Sequence, residues 1–200
     1  MVNKSKMLTA AVLASLMAIP GMANANYGLI APYKVDGTAV EEAVQEIASD
    51  KVNIGDKGKV ITFGAFGLDT HAYSILSSAE GGKPTTVTVN GSQVHSYAVK
   101  AQEGSTINIG DSDTDTVTID GATFKAGENT GLTVIKGSHV TINAKTIDIS
   151  TKAEGDEAAI EVQNSTQKET APEGASSLTL KGDTINITSP NWGLSRPGSI

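Results

Sequence analysis

Asp111, Asp113 and Asp115 place carboxylates at alternate positions, the opening of a calcium-binding loop. The rest of that loop is missing. Thr116 stands where the turn glycine belongs, and Ala122 where a bidentate glutamate is required. The same segment contains Gly110-Asp111-Ser112, the start of the Gly-Asp-Ser-Gly that surrounds a trypsin-like nucleophile, but Asp113 takes the place of the second glycine. A carboxylate there would oppose a developing oxyanion, the reverse of what acyl transfer needs. An acidic turn is the simpler reading.

Other reactive side chains are scattered. His71, His95 and His139 have no histidine, cysteine or carboxylate neighbour at ligand spacing. Asp120, Asp148 and Asp183 recur near the ends of short apolar runs, where turn formation accounts for them. They do not form the carboxylate pair that glycoside cleavage uses. No catalytic, cofactor-binding or metal-binding residue is therefore assigned.

Any site would have to be positioned by the elements around it, and those elements repeat. VTINAKTIDIS, Val140 to Ser150, aligns with LTLKGDTINIT, Leu178 to Thr188, in residue type at most positions. VTIDGATFKAG, from Val117, fits the same frame, which sets the starts 23 and 38 residues apart. A constant pattern with variable connections marks a solenoid. Alternation at period two puts Ile107 and Ile109, Val117 and Ile119, Val140 and Ile142, Ile147 and Ile149, and Leu178 and Leu180 on one face of each strand, with Thr, Asp and Asn outward. A third run follows each pair, Leu132-Val134 and then Ile160-Val162. Three short strands per coil imply an all-β fold, a right-handed parallel β-helix. A β-sandwich is the competitor, since short alternating strands serve it too.

The chain of 200 residues divides into three stretches. Residues 1–25 read as a secretory signal peptide: Lys4 and Lys6, an apolar run from Met7 to Ile19, then Ala23-Asn24-Ala25 as the cleavage site. That run is shorter than the roughly 20 residues that cross a bilayer. Residues 26–104 read as an N-terminal cap and irregular first coils. Thr38 to Ala48 is expected to be a short amphipathic helix, with Thr38 and Glu41 as a capping box and Val40, Ala43, Val44 and Ile47 on one face. Candidate strands are Val60-Phe63, Thr86-Val89 and Gln93-Val99, and Asn90-Gly91 suits either a hairpin or a corner between coils. Residues 105–200 read as the β-helix proper. Gln163 to Ser177, polar and carrying Pro172 and Gly174, should protrude as a loop, either a binding site or a tolerated insertion. The pattern stops without a capping element, so a longer protein is expected.

Composition narrows the partners. A net charge of −7 argues against nucleic-acid and anionic-membrane partners. With no cysteine, stability must come from a core, and with aromatics at only 4% that core must be built from Ile, Val and Leu.

The secretory leader, the cysteine-free Thr/Asn/Gly/Ser-rich composition and repeats such as VTINAKTIDIS resemble the passenger region of Gram-negative autotransporter and adhesin-like surface proteins. The resemblance covers Ser105 to Ser189 well and Asn26 to Gln102 poorly. It implies a right-handed β-helix carried across the outer membrane by a C-terminal β-barrel, displayed at the cell surface or secreted, and binding a host cell, neighbouring cell or matrix ligand. The leading expectation is thus an exported adhesin or structural stalk without catalysis in this segment. The alternative is a secreted polysaccharide-acting lyase or hydrolase with its active site beyond Ile200.

Overall fold

The computed structural model describes residues 28–47, 49–68, 71–78, 85–121, 130–151, 158–163, 175–189 and 192–195. The expected signal peptide and residues 164–174 of the Gln163 to Ser177 insertion lie outside the described residues. Among the described residues the chain forms twenty strands and no helix.

Four short strands come first: β1 (Gly28–Ile30), β2 (Tyr33–Val35), β3 (Thr38–Glu41) and β4 (Gln45–Glu46). Rounds of three then follow. The first holds β5 (Lys51–Ile54), β6 (Val60–Phe63) and β8 (His71–Ser78), with β7 (Phe66–Leu68) paired antiparallel to β8. The second is β9 (Thr86–Val89), β10 (Gln93–Ser96) and β11 (Ala98–Gln102), and the third β12 (Thr106–Ile109), β13 (Thr116–Gly121) and β14 (Leu132–Ile135). The fourth is β15 (His139–Asn143), β16 (Thr146–Thr151) and β17 (Ala158–Gln163), and the last β18 (Ser177–Lys181), β19 (Thr184–Thr188) and β20 (Trp192–Ser195).

Each strand of a round joins a different sheet. β5, β9, β12, β15 and β18 form the first sheet, β6, β10, β13, β16 and β19 the run of the second, and β8, β11, β14, β17 and β20 that of the third, all parallel. This parallel pairing sets the fold apart from an antiparallel sandwich. It also makes Asn90-Gly91 a corner between two sheets, since β9 and β10 pair with different neighbours.

Register keeps like on like. One column runs Ile54, Val89, Ile109, Ile142, Leu180, a second Ile61, Val94, Val117, Ile147, Ile185, and a third Ile75, Val99, Leu132, Ile160, Leu194. In the middle rounds these side chains are fully buried in one cluster drawn from all three sheets. Each is worth roughly 1.5 to 3 kcal/mol on burial. The alternation read from the sequence is therefore the alternation of this interior.

The frame of the third copy is corrected. Val117 does not stack on Val140; it lies opposite Ile147, and Ile107 is the residue opposite Val140. Thr106, His139 and Ser177 are the equivalent starts, 33 and 38 residues apart. Runs such as TVTI and HVTI share one alternation whichever sheet they join, so pattern alone misassigned the face.

The helix expected over Thr38 to Ala48 is also corrected. Asp36 and Gly37 both take positive φ, 49° and 77°, as a two-residue hairpin turn requires. That turn folds β3 back antiparallel on β2, which itself runs antiparallel to β6. β4 pairs in the same sense with β1, and β1 with β8. Val40 is 54% exposed, so the apolar residues at helical spacing face no common core. Only Ile47 among them reaches the main core, while Val44 packs on a smaller cluster of Leu29, Ala31, Phe66, Tyr73, Leu76 and Ala98.

Candidate functional site

The corners between the first and second sheets gather most of the charged chemistry. The corner joining β12 to β13 is tight because Gly110 sits at φ +74°. A Cβ there would lie 2.4 Å from the Asn143 carbonyl of the next round. Asp111 then closes the turn. Its Oδ1 accepts the Asp113 N–H at 2.8 Å, and its own N–H donates to Thr114 Oγ1 at 2.9 Å. Thr114 is buried, and its hydroxyl donates onward to the Gly91 carbonyl of the preceding round at 2.7 Å.

The three aspartates do not converge on an empty centre. Lys57 Nζ lies 3.2 Å from Asp111 Oδ2 and 3.0 Å from Asp113 Oδ2, and Lys145 Nζ lies 2.6 Å from Asp115 Oδ1. The Asp113 N–H and the Lys57 ammonium hold the Asp111 carboxyl below its usual range, while Asp113 and Asp111 raise Lys57 and Asp115 raises Lys145. Lysines from neighbouring rounds thus occupy the positions a cation would need. Among the described residues no group of three or more histidines or carboxylates could hold a metal ion. The calcium reading of Asp111, Asp113 and Asp115 yields to an ion-paired corner.

The remaining candidates are dispersed. His139 Nδ1 is 2.8 Å from Ser177 Oγ, and the His95 ring lies 5.9 Å from that of Tyr97. His71 begins β8, and its side chain lies outside the described residues. Ser112 is exposed on the corner, with Asp111 and Asp113 engaged by Lys57 on either side of it. Asp120 accepts the Ser150 hydroxyl at 3.3 Å, and Asp148 accepts the Asn186 amide at 2.7 Å. These carboxylates sit out of step: Asp148 is level with Thr118, and Asp120 with Ser150. Asp183 lies in a different place again, at the corner beside Lys145.

Two flat outer faces are the feature that residue-by-residue reading missed. On the first sheet Thr88, Asn108, Thr141 and Thr179 form one column, and Thr86, Thr106, His139 and Ser177 another. On the second, Thr62, His95, Thr118, Asp148 and Asn186 form a third. Hydroxyl, amide and imidazole groups therefore recur at the strand spacing of about 4.8 Å. Alternation in the sequence gives their outward side; only the register shows which ones line up.

The chain matches no family model, no curated protein and no solved structure.

Proposed function

We propose that the chain is an exported, surface-displayed parallel β-helix of right-handed winding that acts as an adhesin or structural stalk, with no catalysis in this segment. The observation that supports it most is the pair of polar outer faces, carried unbroken from round to round above one shared apolar interior. Aligned hydroxyl and amide groups offer many weak, repeated hydrogen bonds, which suits adhesion to an extended ligand such as a cell-surface glycan or matrix polymer. The secretory leader read from residues 1–25 supplies the export route.

The test is adhesion itself. Beads coated with the chain should retain host or neighbouring cells, and Thr118→Glu/Thr141→Glu, which places charge on both faces, should lower retention while keeping a β-type circular dichroism spectrum. Equal retention by both proteins and by uncoated beads would overturn the adhesin. A helical spectrum would overturn the architecture. Release of reducing sugar or unsaturated product from acidic polysaccharides would instead favour a lyase or hydrolase.

A further inference from the structure

The two ends of the strand stack differ in chemistry. At the first end the outermost strands are β3, β4 and β5, which carry Glu41, Glu46 and Lys51. Charges on an edge strand discourage further pairing. At the other end the outermost strands are β18, β19 and β20, one for each sheet. β19 reads Thr-Ile-Asn-Ile-Thr and has no charge, proline or bulge. Ile185 and Ile187 of this strand are 41% and 38% exposed, although the residues they stack on, Ile147 and Ile149, are fully buried.

Thr184-Ile185-Asn186-Ile187-Thr188 is also a palindrome. Paired antiparallel with a second copy about a two-fold axis through Asn186, it sets Ile185 against Ile187, Thr184 against Thr188 and Asn186 against itself. Apolar residues then meet apolar ones and no like charges meet within the strand. A two-fold axis lying across the round reverses its direction of travel, so β18 of one copy runs antiparallel beside β20 of the other. One operation covers all three edges. The match is isologous, as closed dimers require.

We infer that this end of the molecule is a homodimerisation surface, in which β19 pairs antiparallel with β19 of a second copy. The inference rests on the three sheets enclosing one interior, as in the proposed β-helix, and not on what the outer faces bind.

Because the symmetry places residue 184 opposite residue 188 of the other chain, charges there give an internal control. The full chain is examined by sedimentation velocity with far-ultraviolet circular dichroism on every variant. Wild type sediments as a dimer. Thr184→Lys/Thr188→Lys confronts like charges twice and weakens the dimer about tenfold or more, whereas Thr184→Lys/Thr188→Glu confronts opposite charges twice and restores it. A wild-type monomer or open filament with an intact β-type spectrum overturns the dimer alone, and so does equal behaviour of the two double variants. A helical spectrum overturns the dimer together with the β-helix beneath it.

Discussion

Gly110 shows how little freedom a single residue has at a corner of this stack. Its positive φ and the Asn143 carbonyl close above it leave no room for a side chain. Gly110→Ala should lower unfolding free energy by about 1 to 3 kcal/mol, read from urea titration at unchanged m-value. Asp36 makes a different kind of prediction. Its carboxylate accepts from Lys59 Nζ at 2.8 Å and from the Val60 N–H at 2.9 Å, and both hold its pKa below the ordinary value of 3.8. A lowered folded pKa adds stability above the unfolded value, and that stability is lost as pH falls through the folded one. Wild type should thus exceed Asp36→Asn in stability near neutrality, and the gap should close below about pH 4. Thermal melts from pH 7 down to pH 2 would show it. The acidic types at 111, 113 and 115 were legible in the chain; their lysine partners were not. Lys57 and Asp113 are 56 residues apart, and only stacking of rounds brings them together.

Elements were easier to read than their neighbours. Alternating Ile and Val marked nearly every strand from Ser105 onward, because each such strand has one buried side and one exposed side. Assignment to a sheet was harder, as the misplaced Val117 shows, since strands of all three sheets obey the same period. The first strands misled for another reason. Thr38 to Ala48 carries strong helix cues, but Asp36-Gly37 just before it is a hairpin turn, and pairing with β2 and β1 outweighed local preference. β13 is clasped on both sides, by β10 and β16. Thr118→Pro should therefore cost about 3 kcal/mol or more, and guanidinium unfolding would measure it.

At the scale of the whole molecule, one interior runs through every round, and protection should follow position along it. Amides of β12, β13, β15 and β16 lie between paired neighbours and should exchange slowest. Those of β3, at an outer edge, should exchange fastest, as native-state hydrogen exchange would reveal. The polar faces belong to this scale too, because no single strand contains them. The same sameness from round to round has a kinetic consequence. Were β19 to settle on β13 in place of β16, Ile185 would lie on Val117 and Ile187 on Ile119, and the apolar columns would be equally content. What tells the rounds apart is local and polar: Asn186 donating to Asp148, Ser150 to Asp120, Lys145 reaching Asp115. Correct assembly then depends on sequence in time as well as in space, with each round laid down on a finished one before its look-alike arrives.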